Sequence, residues 1–353
     1  MARNKPPAAE CARFNKILQT LPKTEIHLHL EALATVDTIW ALMEKNHLIY
    51  DGITVKEDLA RKYQIKTLDE FVQVFINIVQ NSFKTESDFS YLLADTGVYL
   101  KENNIEYAEV FFAPSKFVRS GFDFEKMLQT LTDGAEAIAR SCGAQLRYII
   151  DVSRTFGPVN AMRNLELTLA HKSPAVIGIG LGGAEASGPA KDFEAVFQRA
   201  AEAGLHVVAH AGEDAGPHSI WDALNLLHVE RIGHGVSALE DEELMNYLAK
   251  HQIPLEICPT SNLFTRKYAK TIEQHPVRAF FDKNLFITVN SDDPALFSTS
   301  LTGEYMLLYK NGLFSQDEIV RLIKNNVTAT FLPEDRKRAI CARIDDAWKA
   351  AGQ

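Results

Sequence analysis

Glu25-Ile26-His27-Leu28-His29-Leu30-Glu31 is the stretch from which the fold can be read. Its apolar residues predict a short buried strand over 25–30. Successive strand residues face opposite ways, so His27 and His29 point to one side. Two imidazoles converging from one strand make half of a nitrogen-ligated metal site. The other half has to arrive from elements far along the chain.

Working outward, residues 1–10 read as a terminal stretch, 11–20 as a short helix, and 35–46 as a helix capped by Thr35. Residues 51–84 carry no strand. Their amphipathic run Leu68-Phe71-Val72-Phe75-Ile76-Val79 predicts a helical insertion after strand one, either a plain packing helix or a lid over a site. Beyond it a rhythm sets in. Helices at 86–103, 123–141, 158–171, 190–203, 216–228, 239–251 and 274–283 each precede a strand. Those strands are expected at 105–112, 145–152, 176–181, 206–210, 231–235, 254–258 and 285–290, and a helical tail follows at 302–350. Alternation of this kind gives a parallel sheet, and eight units in 353 residues suggest a closed (β/α)8 TIM barrel. An open doubly wound sheet is the alternative, but no GxGxxG follows an early strand. No linker or low-complexity tract divides the chain, so residues 1–353 are expected to form a single domain.

A chain 46% hydrophobic and 24% charged has the composition of a globular protein, and its net charge of −9 argues against nucleic acid or an anionic membrane as partner. A small molecule is the better fit; nothing in the sequence points to an oligomeric state. No run of 18 or more apolar residues occurs, and the opening Met-Ala-Arg-Asn-Lys-Pro-Pro lacks the apolar core of a secretory signal. Cys11, Cys142, Cys258 and Cys341 are scattered and suit reduced thiols in a cytoplasm.

In a parallel barrel, reactive groups gather at the C-terminal ends of the strands. Here strand one ends in His27-Leu-His29-Leu-Glu31, strand five in His210-Ala-Gly-Glu213, strand six in His234-Gly235 and strand eight in Ser291-Asp292-Asp293-Pro294. Taken singly, each has a plainer reading: a strand-end histidine is usually a hydrogen-bonded core residue, and Asp-Asp-Pro is usually a turn. Together they place histidines and carboxylates on one rim, which packing alone does not require. Three imidazoles and a carboxylate suit zinc, with His27, His29, His210 and Asp292 as ligands and a further position left for water. Glu213 is then placed for proton transfer, His234 to orient the attacking water and Asp293 to bond substrate. His47, His171, His228, His251 and His275 are expected at the surface, His206 at the opposite rim, and His218 in the loop after strand five.

The order His-x-His-Leu-Glu, Gly-Gly, His-Ala-Gly-Glu, His-Gly, Ser-Asp-Asp-Pro resembles the adenosine deaminase family of the amidohydrolase superfamily, from Leu21 to about residue 330. The resemblance implies a barrel with one zinc ion that hydrolyses the 6-amino group of a purine nucleoside and releases ammonia. By position it implies His27, His29, His210 and Asp292 as zinc ligands, Glu213 as the acid protonating N1, and His234 as the residue aiming water at C6. It further implies that the Gly183 amide meets N3, that Asp293 bonds N7 and that Glu31 faces the ribose. A glutamate kept protonated in a dry pocket is chemically apt, because protonation at N1 lets the ring accept the incoming electron pair.

The sequence departs from the family pattern in three places. Ala32-Leu33-Ala34 follows Glu31 where Gly-Ser or Gly-Ala is usual, strand four ends Gly180-Leu-Gly-Gly-Ala-Glu185, and strand two ends Phe111-Phe112-Ala113-Pro114. None touches the metal chemistry; all bear on the pocket around the sugar. The strand-four block, Glu256-Ile-Cys-Pro-Thr-Ser-Asn262 and the run after Asp293 are similar to a branch containing aminodeoxyfutalosine deaminases, which act on a nucleoside with a large 5′ substituent in menaquinone synthesis. Adenine deaminases match these segments less well. A two-metal amidohydrolase calls for a bridging lysine near the end of strand four, which is absent, and a cytidine-deaminase site needs Pro-Cys-x-x-Cys, also absent. A non-catalytic nucleoside-binding barrel is the remaining alternative.

Overall fold

The computed structural model describes residues 5–352, except for the side chains of 68 and 69. Leu68, the expected start of the amphipathic run, is therefore outside the described side chains, as are residues 1–4 of the terminal stretch. Eight strands run as β1 (Lys23–Glu25), β2 (Ile105–Phe112), β3 (Gln145–Asp151), β4 (Val176–Gly180), β5 (His206–Ala211), β6 (Arg231–His234), β7 (Leu255–Ile257) and β8 (Ile287–Val289). They lie side by side in sequence order, and every pair from β1–β2 to β7–β8 is parallel. Helices between the strands cover the outside, as parallel strands buried on both faces require. This is the (β/α)8 barrel.

β1 is shorter than the sequence suggests. The Ile26 N–H donates to the side chain of Asn290 (3.2 Å) instead of a neighbouring main chain. The ladder resumes beyond it: Phe111 N–H donates to Leu28 O (2.8 Å) and Leu30 N–H to Phe111 O (2.9 Å). His27 and His29 thus stand on an irregular extension of β1.

The same extension closes the barrel. Asp292 N–H donates to His27 O (3.2 Å), and His29 N–H donates to Asp292 O (2.9 Å). Lower down, Asn326, on the helix Gln316–Ala329, stitches the seam. Its Oδ1 accepts from Val289 N–H (2.9 Å), and its Nδ2 donates to Val289 O (2.7 Å) and Thr24 O (3.4 Å).

The insertion is helical, as Lys56–Lys62, Leu68–Val72, Gln73–Val79 and Gln80–Ser82. Its third segment winds as a π-helix, with Gln80 N–H reaching back to Phe75 O, so the α-helical spacing read from the sequence holds only over the first part. Phe71 stacks on Phe75 (ring centres 5.6 Å apart) and on Phe297 (5.0 Å), and Phe297 stacks on Phe264 (4.6 Å). This aromatic row joins the insertion to the loops after β7 and β8.

Thr35 caps the helix Val36–Lys45 by accepting from Thr38 N–H (3.2 Å). The first helix, Ala8–Thr20, starts earlier than expected, and the tail is three helices, Leu301–Lys310, Gln316–Ala329 and Glu334–Ala351. The four cysteines are free, and no helix among the described residues is long and apolar enough to cross a membrane.

Asn326 satisfies both main-chain groups of Val289 in a place water does not reach. Asn326→Ala leaves them unpaired and is expected to cost about 2–4 kcal/mol. Denaturant unfolding of both proteins measures the difference.

Candidate active site

The ends of β1, β5, β6 and β8 bring their polar residues to one point. Ring nitrogens or carboxylate oxygens of His27, His210, His234 and Asp292 lie within 4.8 Å of one another, and those of His29, Asp292 and Asp293 form an overlapping group. Asp292 is common to both. Its Oδ1 is 3.4 Å from His27 Nε2 and 3.3 Å from His29 Nε2, and its Oδ2 is 3.8 Å from His234 Nε2. His29 and His210 face each other, Nε2 to Nε2, at 3.2 Å. His234 therefore stands nearer the centre than its sequence position alone suggests.

Backbone geometry makes this convergence possible. Asp292 (φ 64°) and His234 (φ 62°) both occupy the left-handed region, which costs a non-glycine residue about 1–2 kcal/mol and persists where surrounding structure enforces it. Gly233 makes room for the rings: a Cβ there would come within 2.8 Å of His27 Cε1 and 3.2 Å of His210 Cα.

The donor set fits a divalent metal. His27 Nε2 is buried with no hydrogen-bond partner, because the other ring nitrogen, Nδ1, is engaged by Glu256 Oε2 at 2.7 Å. A carboxylate accepts only, so Nδ1 carries the proton and Nε2 presents a lone pair. Where three imidazole nitrogens and a carboxylate oxygen crowd together, with contacts of 3.2–3.4 Å among them, a cation is the natural occupant.

Glu256 is itself held from below. Arg231, buried in the barrel, pairs through Nε with Glu256 Oε1 (2.5 Å) and through Nη1 with Glu109 Oε2 (2.6 Å). Its guanidinium lies 4.0 Å from the centre of the Phe331 ring. Sequence reasoning missed this support. Its trace was a charged residue within each of the apolar strands β2, β6 and β7.

Glu213 Oε2 lies 3.5 Å from His234 Nε2. Burial, then the negative charge of Asp292, hold the Glu213 carboxyl well above the usual carboxylate range. Burial likewise lowers His234 to about 4, so its ring is neutral. Burial and the neighbouring Asp292 raise Asp293 to about 8.

The loop carrying Glu213 hangs from one anion, Glu185, another residue the sequence reading left without a role. Its Oε1 accepts from Gly212 N–H (2.7 Å) and Ser219 Oγ–H (2.5 Å). Its Oε2 accepts from the N–H groups of Glu213, Asp214 and Ala215 at 2.9, 2.9 and 3.1 Å.

Glu31 and Gly183 lie beyond the ends of β1 and β4. Glu31 is buried; Oε1 accepts from Ala113 N–H (3.2 Å) and Oε2 has no partner. Gly183 has φ +89°, and a Cβ there would sit 3.1 Å from Thr155 Oγ1, so glycine is required. Its loop is tied down by Gly182 N–H donating to Asp151 Oδ1 (2.6 Å).

Two histidines differ from expectation. His275 is not a surface residue: it is 3% exposed and bonds Asn262 and Val277. His218 is not in a loop: it sits in the first turn of the helix Pro217–Asn225 and is exposed. His47, His228 and His251 are exposed and His171 partly so; His206 opens β5 at the far rim, beside Glu230 (2.9 Å).

Comparison with known proteins follows the same lines. The family model described as adenosine deaminase matches residues 22–347. An aminodeoxyfutalosine deaminase of Streptomyces avermitilis is 34% identical over 344 residues, covering 96% of this chain and 95% of its own. An adenine deaminase of Bordetella parapertussis is 37% identical over 315 residues, covering 88% and 97%. Among solved structures, an adenine deaminase from Arthrobacter aurescens superposes with a TM-score of 0.89 at 30% identity, over 94% of this chain and 100% of that one.

Glu256→Gln replaces the charged acceptor on His27 with a neutral amide. It is expected to weaken metal binding about 10–100-fold. Competition against a chromophoric chelator measures this directly.

Proposed function

This chain belongs to the adenosine deaminase family and is a hydrolytic deaminase of adenine-type substrates; from that premise we propose that it removes the 6-amino group of an adenine nucleoside, adenosine or a 5′-modified adenosine. The products are the 6-oxopurine and ammonia, and one zinc ion per subunit serves the reaction. The observation that carries this reading is the clustering of His27, His210, His234 and Asp292 within 4.8 Å of one another, with His29 against both Asp292 and His210 and Glu213 beside His234.

His27, His29, His210 and Asp292 would hold the zinc. Zinc, when bound, lowers the pKa of water so that a nucleophile is available near neutral pH. Glu213 gives its proton to N1 of the purine, which lets the ring accept an electron pair as water adds at C6. His234 orients the attacking water. Asp293 bonds N7, and the Gly183 amide meets N3. One proton of the attacking water passes to the amino group, which leaves as ammonia, and the other returns Glu213 to its acid form as the 6-oxo group forms.

The free oxygen of Glu31 favours a nucleoside over the bare base. Oε2 is buried without a partner, and a sugar hydroxyl would satisfy it where free adenine offers none. Among 5′-modified adenosines, aminodeoxyfutalosine is the specific alternative, supported by the relative that covers 95% of its own length. Adenine itself is a second reading, supported by relatives of comparable identity. The four free cysteines support a cytoplasmic setting, and we treat residues 1–353 as one barrel domain.

Side-by-side kcat/KM for adenosine, adenine, 5′-modified adenosines and aminodeoxyfutalosine, followed by ultraviolet absorbance, tests the reading. A nucleoside is expected to be preferred; zinc-loaded protein that turns over no 6-aminopurine would overturn the proposal in favour of a non-catalytic binding protein. Glu213→Gln is expected to retain zinc and lose about 10²–10⁴-fold in kcat. A near-wild-type rate contradicts the role given to Glu213.

A further inference from the structure

We propose that His275 and Asn262 form a hydrogen-bond relay that fixes the tautomer of His234, holding its Nε2 as an N–H donor toward the reaction centre. The relay rests on the reading of His234 as the residue that orients water, and it is separately measurable.

The backbone N–H of Val277 can only donate, and it donates to His275 Nδ1 at 3.1 Å. His275 Nδ1 is therefore the acceptor nitrogen. With Nδ1 accepting, the buried ring is neutral and its one proton is on Nε2, as its lowering by burial to about 3 agrees. That Nε2–H lies 3.1 Å from Asn262 Oδ1 and donates to it. The amide orientation of Asn262 follows: with Oδ1 accepting from His275, Nδ2 faces His234 Nδ1 at 3.1 Å. An amide nitrogen can only donate, so His234 Nδ1 accepts. An accepting Nδ1 carries no proton, so the proton of the His234 ring is on Nε2.

That nitrogen lies 3.5 Å from Glu213 Oε2 and 3.8 Å from Asp292 Oδ2. A nitrogen carrying a proton cannot ligate a metal. The relay thus separates His234 from His27, whose Nδ1 is the protonated nitrogen and whose Nε2 presents a lone pair. Both rings point Nε2 at the same centre, but only one of them can bind a cation there. Without the relay, His234 could turn a lone pair inward and compete as an extra ligand. His275 and Asn262 are positioning residues, acting through His234 without touching the reacting atoms.

The test uses zinc-loaded full-length protein labelled with 15N-histidine. Long-range 1H–15N spectra distinguish a ring protonated at Nε2 from one protonated at Nδ1. Wild type is expected to show His234 with a pyrrole-type Nε2 and a pyridine-type Nδ1. Asn262→Asp puts an acceptor against Nδ1; it is expected to move the proton there and lower kcat about 10–100-fold, with KM within about threefold and zinc content unchanged. His275→Phe, which removes the donor that orients Asn262, is expected to do the same to a smaller degree. Should either variant fail to fold, the wild-type spectrum alone decides. His234 protonated at Nδ1 in wild type, or a tautomer unmoved by Asn262→Asp, would overturn the relay. The spectrum thus judges the relay, whereas loss or retention of turnover in Glu213→Gln judges the deaminase mechanism.

Discussion

The pair of main-chain hydrogen bonds between Asp292 and the His27–His29 segment is the contact on which both barrel and site depend. A closed barrel needs its last strand to meet its first. In this chain that junction lies at the rim, where Asp292 bonds His27 O and His29 N–H. The same two bonds fix the Asp292 carboxylate against both imidazoles. Closing the fold and assembling the donor set are one event. The left-handed backbone of Asp292 is the local cost of turning the chain at that junction while aiming its side chain inward.

The floor of the barrel answers a second constraint. Imidazoles and carboxylates buried at the rim need compensating charge, since an isolated ion in a dry interior is strongly disfavoured. Arg231 provides it from inside, flanked by Glu109 and Glu256, and Glu256 passes the connection to His27 Nδ1. The buried His27 ring lies between two carboxylates, Glu256 at 2.7 Å and Asp292 at 3.4 Å. A ring so placed strongly favours a positive neighbour, and a metal ion meets that preference. The column Arg231–Glu256–His27 therefore orients the ligand through a chain of charged hydrogen bonds rooted at the far end of the barrel.

What could be read from the sequence follows from what sequence patterns encode. Alternating helices and apolar strands gave the barrel, and the strand-end clusters at His27, His29, His210, Glu213, His234 and Asp292 marked the rim, because strand order places those ends together. Residues whose role is to hold other residues were hidden. Glu256 and Arg231 look like stray charges in apolar strands until the barrel closes around them. His275 looked like a surface histidine because its partner Asn262 lies on a different segment and the bond between them exists only in three dimensions. The length of β1 was overestimated for a similar reason: the pattern shows burial, whereas the ladder is broken by a side chain, Asn290, from the opposite end of the sequence. The π-helical winding at Gln73–Val79 buries Val74, Ile78 and Val79 and leaves Ile76 exposed, a face that the α-helical spacing does not foretell.

Glu185 shows how one group can serve both geometry and electrostatics. Four successive backbone N–H groups, from Gly212 to Ala215, converge on its carboxylate, and Ser219 adds a fifth donor. These donors outweigh burial and hold Glu185 ionised, at about 2. A neutral side chain could not accept all five, because an amide has only one acceptor oxygen. The anion therefore explains the shape of the loop. It also acts on what the loop carries: after burial and Asp292, the charge of Glu185 is the next influence keeping the Glu213 carboxyl protonated. The role proposed for Glu213, proton donor to a purine ring, needs a defined position and a retained proton. The anchor meets the first need through its hydrogen bonds and contributes to the second through its charge. Arg154, whose Nη2 donates to His210 O at 2.7 Å, ties the start of the same loop to the rim of β3. The segment from His210 to Glu213 is thereby held at both ends, which sets the spacing that the proposed metal ligand and the proposed proton donor need.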